Sequence, residues 1–178
     1  ATASPQPAGA AGLAYPAEPA GTGAETAFVF GLRSSPADRS NLAVFNPSGA
    51  NVVVRVTVVD GSGSGRAATV VDDLDLPPLA WTQFSRVLDG TGITTGWARI
   101  EKVAGGGAFG AYGVVNDSLT NDGSFVARSV ARGTGTRTTI PVLVETATFR
   151  SEIVLANKGA SPASLTMQYV ESESPATG

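Results

Sequence analysis

The chain has 178 residues, 42% of them hydrophobic, with a net charge of −3 and a pI near 4.9. That is apolar material for one ordinary domain with extra pieces, and the acidic balance argues against a nucleic-acid binder or a polybasic membrane contact. With no cysteine and no histidine, disulfides, thiol chemistry, Cys/His zinc sites and Ser-His-Asp triads are excluded.

Residues 1–26 are mostly Ala, Pro, Gly, Ser and Thr, with four prolines. Such a segment buries too little surface to offset its ordering entropy and reads as an extended linker or tail. The sharper alternative is an extended strand that docks on a neighbouring module, with Leu13 and Tyr15 as its only sizeable anchors. The opening ATASPQPAGAAG has neither the basic nor the apolar stretch of a signal peptide. It suits a mature terminus left by signal cleavage, or an arbitrary cut. No run approaches the roughly eighteen apolar residues of a membrane helix.

From Ala27 short apolar runs alternate with Gly/Pro/Asn/Asp/Ser clusters at roughly ten-residue spacing, the grammar of an all-β sandwich or barrel. The pattern predicts strands over 27–33, 40–46, 51–59, 67–73, 80–86, 96–103, 107–116 and 124–129. Val54, Val56 and Val58 share one face, with Arg55 and Thr57 on the other. Strand 107–116 is apolar on both faces and glycine-rich, so it is expected to be central and covered on both sides. Gly61–Gly65 and Gly105–Gly107 read as hairpin loops, and Asn121-Asp122-Gly123 as a tight turn. One helical turn is the most that Ser85–Gly90 would support.

The chain then repeats itself. Residues 21–59 return at 133–170: Gly21-Thr22-Gly23 as Gly133-Thr134-Gly135, Arg39-Ser40 as Arg150-Ser151, and Asn46 as Asn157. Leu42 and Val44 match Ile153 and Leu155, and Val54, Val56 and Val58 match Leu165, Met167 and Tyr169. A period of one domain length implies tandem modules. The expected organisation is therefore a linker over 1–26, a complete β-module over 27–132, and a partial copy over 133–178 with strands at 138–144, 150–156 and 163–170. A copy of about three strands fits either a cut from a longer array or a half module with a task of its own.

Candidate sites are few. Asn116–Gly123 gathers Asp117 and Asp122 with two amides, a set that suits calcium, but the spacing lacks the closing bidentate glutamate of an EF-hand and reads first as a turn. Asp72, Asp73 and Asp75 would make a carboxylate pair only if they converged, and alternate residues of a strand point apart. Exposed Trp81, Trp97 and Tyr112 would form a glycan-stacking patch, although aromatics, Phe109 included, more often fill cores. Lys102 and Lys158 have no serine placed for a Ser-Lys mechanism. Gly105–Gly107 opens no helix and so is no phosphate cradle. Arg39 and Arg150 are placed to pair with Asp38 or Glu145, or simply mark a shared surface position.

Arg39-Ser-Asn-Leu-Ala-Val-Phe-Asn-Pro-Ser-Gly49, the following VVVRVTVVDGSGSG, Leu76-Pro77-Pro78 through Gln83, and Phe109-Gly-Ala-Tyr-Gly-Val-Val-Asn-Asp117 with Thr120-Asn-Asp122 resemble a repeat of large secreted and cell-surface bacterial proteins. The match covers 27–130, with 138–171 as a partial second copy; Ser118 and Gly123 depart from its closing pattern. The resemblance implies immunoglobulin-like β-sandwich modules in an extracellular structural or adhesive setting. The expected protein is thus non-catalytic and all-β, with no catalytic, cofactor-binding or metal-binding residue assigned. Its partners would be other copies of itself or neighbouring modules, joined by strand addition. A carbohydrate-binding accessory module is the alternative, and a carboxylate-pair hydrolase ranks last.

Overall fold

The computed structural model describes residues 13–17, 23–130, 139–140, 142–147, 151–159 and 161–170. The described chain is all-β, without a helix. Nine strands form in order: β1 (Thr26–Arg33), β2 (Asp38–Phe45), β3 (Val52–Asp60), β4 (Ala67–Leu76), β5 (Trp81–Phe84), β6 (Thr95–Gly105), β7 (Gly110–Asp117), β8 (Gly123–Ala127) and the short β9 (Ser129–Val130). They build two antiparallel sheets, ordered β4-β3-β6-β1-β9 (sheet A) and β5-β2-β7-β8 (sheet B). β1 and β2 lie in opposite sheets, whereas an immunoglobulin constant domain sets its first two strands side by side.

Period two decides what lies between the sheets. Val52, Val54, Val56 and Val58 of β3 are fully buried, as are Val29 and Leu32 of β1, Leu42 and Val44 of β2, and Ile100 of β6. Phe109, just before β7, is also fully buried. β7 runs inside sheet B, as its glycine-rich pattern predicts. A Cβ on Gly113 would press on Val29 and Leu32, so the bare backbone is what lets the opposite sheet close. Ser85–Gly90 forms turns in place of the expected helical turn, and they bury Val87 and Leu88.

The chain changes sheets between β1 and β2, β2 and β3, β4 and β5, β5 and β6, β6 and β7, and β8 and β9. Gly105–Gly107 is therefore a crossover and not a hairpin loop. Its glycines are needed because a Cβ on Gly107 would overlap the Ala50 carbonyl. Gly61–Gly65 and Asn121–Gly123 do join paired strands.

Two buried polar side chains hold the crossovers. The Ser40 hydroxyl accepts from Arg33 N–H at 2.7 Å and donates to Arg33 C=O at 2.8 Å, clamping β1 to β2. Asn46 is 1% exposed. Its amide N–H groups serve the carbonyls of Ala50 (2.8 Å), Leu76 (2.9 Å) and Pro77 (3.1 Å), while Oδ1 accepts from Ser48 N–H at 2.9 Å. One side chain thus ties the β2–β3 turn to the β4–β5 crossover.

Both devices return in the second copy, at a spacing of 111 residues. The Ser151 hydroxyl accepts from Val144 N–H at 2.8 Å. Asn157 donates to Ser161 C=O at 2.8 Å and accepts from Gly159 N–H at 2.9 Å. Glu145 makes an isolated bridge, as Ser34 does in the first copy. The turns form, but the strands expected at 138–144, 150–156 and 163–170 do not form among the described residues. A turn closes through bonds a few residues apart, whereas a strand needs a neighbour's ladder. Leu165, Met167 and Tyr169 are accordingly 70%, 66% and 69% exposed, where their counterparts Val54, Val56 and Val58 are fully buried. Gly133–Gly135 and Arg150 lie outside the described residues, as does most of 1–26.

Asn46→Ala strands the buried Leu76 carbonyl and unties two crossovers, so it is expected to lower unfolding free energy by about 3 kcal/mol. The same change at Asn157, whose loop is exposed, is expected to shift it by less than about 0.5 kcal/mol. Urea denaturation of both variants checks the contrast.

Candidate functional site

The acidic candidates resolve one by one. β4 bulges opposite Arg55, since Val54 faces Leu74 while Val56 faces Val71. Asp73 takes φ 56° in that bulge. The bulge overrides simple alternation: Asp72 (2.5 Å) and Asp73 (3.8 Å) both reach the Arg55 guanidinium. Hydrogen bonding and charge from Asp72 hold Arg55 above its ordinary value. Asp75 instead accepts from Asn51. This is a solvated ion cluster and not a carboxylate pair in a cleft.

Asp117 anchors its loop. Its Oδ1 accepts from Leu119 N–H (2.8 Å), Thr120 N–H (2.7 Å) and the Thr120 hydroxyl (3.0 Å). Asp122 Oδ1 accepts from Gly123 N–H at 3.1 Å. The loop is built as a self-bonded turn. Among the described residues no three His, Cys, Asp or Glu side chains gather to hold a metal. Arg39 donates to the side-chain Oδ1 of Asn121 at 2.8 Å, so this arginine meets a loop amide. Lys102 lies 3.5 Å from Glu25.

The three aromatics of the expected glycan patch part company. Trp97 sits on the outer face of sheet A with Phe28 (5.7 Å) and Phe30 (5.9 Å). Trp81 and Tyr112 share the outer face of sheet B, where indole Nε1–H donates to Tyr112 Oη at 3.1 Å. Phe45 and Phe125 join them: Tyr112 is 6.4 Å from Phe45 and 5.6 Å from Phe125, ring centre to ring centre. The result is one ring on each strand of sheet B. Phe45 lies over Gly110, its partner across the ladder. Nothing in the one-dimensional pattern singles out Phe45 and Phe125, because the stripe exists only once register sets four strands side by side.

Tyr15 packs edge-on against Tyr112 (5.1 Å) and Phe125 (5.4 Å). Leu13 and Tyr15 help line a depression of about 360 Å³ with Asn41, Gln83, Val114 and Asn116. The two anchors legible in the linker thus do dock, on their own module's sheet.

The second copy lies against the opposite sheet. Glu152 pairs with Arg33, Val154 packs beside Gly31, and the Lys158 ammonium sits 4.4 Å over the Phe28 ring. An open cleft of about 570 Å³ runs between these residues and the Asp117–Ser124 end of sheet B.

No protein-family model matches the chain, and no curated protein matches it. A solved structure titled "Crystal Structure of Thermotoga maritima 1070" is similar with a TM-score of 0.46 and 10% identity, over 61% of this chain and 93% of that one. At that likeness the comparison carries no functional argument.

The N–H groups of Thr120 and Leu119, with the Thr120 hydroxyl, lower the Asp117 pKa from its ordinary value; the Ser64 hydroxyl, then the Ser62 N–H and hydroxyl, do the same for Asp60. A lowered folded value stabilises the fold above the unfolded pKa, and this is lost as pH falls through the folded one. Thermal midpoints are expected to drop between about pH 5 and about pH 2, and less steeply in Asp117→Asn. Thermal melts of both proteins across that range check it.

Proposed function

We propose that the chain is a non-catalytic structural module, secreted or carried at a cell surface, that assembles by strand complementation. The observation that carries this reading is the second copy. Its turns are set by the same side-chain bonds as the first copy's, yet the apolar row Leu165, Met167 and Tyr169 stays exposed. A preformed corner with an unpaired, period-two apolar segment has the chemistry of a donor strand: backbone groups supply affinity and alternate side chains supply register. Another copy, or a neighbouring module of a longer chain, would pair with its edges as β4 and β6 pair with β3 and would bury its row against a facing sheet, as the core buries Val54, Val56 and Val58. Among the described residues, 151–158 meet sheet A through an ion pair, a valine and a cation–π contact, side-chain contacts of a kind that a ladder can replace. The extracellular setting follows the sequence resemblance. The carboxylates engaged in a solvated ion cluster and in a self-bonded turn support a scaffold over a hydrolase.

Light scattering on size-exclusion fractions, with electron microscopy, tests the assembly. Concentration-dependent oligomers or fibres are expected. The triple variant Leu165→Asp, Met167→Asp, Tyr169→Asp is expected to abolish them while leaving the sandwich's unfolding transition in place. A monodisperse monomer at every concentration overturns self-assembly.

A further inference from the structure

The outer face of sheet B has an unusual makeup. Outward positions on its four strands are Arg39, Asn41, Ala43 and Phe45 on β2, Trp81 and Gln83 on β5, Gly110, Tyr112, Val114 and Asn116 on β7, and Gly123, Phe125 and Ala127 on β8, as ladder register and alternation require. Only Arg39 is charged, and it is engaged by Asn121. The outer face of sheet A, by contrast, carries Arg55 with Asp72 and Asp73, and Arg99 with Glu101.

We propose that the outer face of sheet B binds a neutral polysaccharide chain, and that the Leu13–Ala17 segment is its displaceable cover. Rings on neighbouring strands lie 6.4 Å (Phe45 and Tyr112) and 5.6 Å (Tyr112 and Phe125) apart, comparable to the repeat of successive sugars in an extended glycan. Stacking of sugar faces on aromatic rings and hydrogen bonding of hydroxyls to amides are the two halves of carbohydrate recognition. Both are present here. Trp81 is 56% exposed, and its bond to Tyr112 fixes the indole plane. Asn41, Gln83 and Asn116 line the adjoining depression, and a primary amide both donates and accepts, as a hydroxyl does. Small neighbours, Ala43, Gly110 and Ala127, flank the stripe. The face offers no cationic cluster, so an anionic polymer finds no counter-charge; Asp122, at the depression's rim, disfavours one further.

The cover is held by ring edges. Tyr15 meets Tyr112 at 68° and Phe125 at 81°, it remains 55% exposed, and residues 13–17 join no strand. A sugar ring stacking on Tyr112 would take the place of the Tyr15 ring. This proposal concerns a different surface from the donor segment, so it stands or falls apart from assembly.

Affinity gel electrophoresis of the full chain tests it, with soluble neutral polymers (hydroxyethylcellulose, a xyloglucan, a galactomannan) and an anionic one (polygalacturonate) in the gel. At least one neutral polymer is expected to retard the protein. Tyr15→Ala is expected to bind about threefold tighter and Trp81→Ala about tenfold weaker. Trp97→Phe, on the other sheet, is expected to bind like the parent. Trp81 is exposed, so its variant's unfolding midpoint should match the parent's, separating lost binding from lost fold. No retardation by any neutral polymer, or retardation unchanged by Trp81→Ala, overturns the site. Stronger retardation by polygalacturonate overturns the ligand class. A Tyr15→Ala variant that binds no tighter overturns the cover.

Discussion

The fold depends on how the chain passes from one sheet to the other, and one buried amide governs two of those passages. Asn46 leaves β2, serves three carbonyls and accepts from the turn that follows. Of those carbonyls, that of Leu76 is the buried one, and leaving it without a donor costs about 1–3 kcal/mol. Ser40 does the equivalent work where β1 crosses to β2. Valine rows fill the space between the sheets, but a valine row does not say which strand follows which. The polar pins specify that, because their partners lie at fixed backbone positions.

These pins are also what the internal repeat preserves most literally. Arg-Ser and Asn recur at a spacing of 111 residues, and the same local bonds recur with them. The core positions recur only in character: valines in one copy, Leu, Met and Tyr in the other. A core tolerates exchange among apolar residues of suitable volume, whereas a side chain that must donate and accept at set points does not. Among the described residues, the second copy therefore keeps its corners without its sheet, a separation of local from long-range structure visible within a single chain.

The two outer faces differ in makeup. Sheet A carries ions on its β3–β4 side and, on its β1 side, an aromatic cluster that receives the second copy. Sheet B carries the four-ring stripe and the amides beneath the Leu13–Ala17 segment. In each case a segment flanking the sandwich lies on a face of it, held by side-chain contacts and not by a ladder. Such contacts exchange more readily than a ladder, as both the assembly and the glycan proposals require.

Much of this was legible in one dimension. Alternation at Val54, Val56 and Val58 marked the core face, turn residues marked most strand ends, and the absence of histidine and cysteine removed whole classes of chemistry. Leu13 and Tyr15 stood out as anchors because nothing else near them is large. What period two cannot encode is which strands become neighbours. The Asp72–Asp73 bulge, the crossover role of Gly105–Gly107, the separation of Trp97 from Trp81 and Tyr112, and the recruitment of Phe45 and Phe125 all follow from register and sheet order. Those are set by contacts between residues dozens of positions apart. The sequence by itself determined that the chain is a β-sandwich with a partial echo of itself. Only the tertiary structure decided which side chains share a face, because a face is a property of paired strands and no single strand carries it.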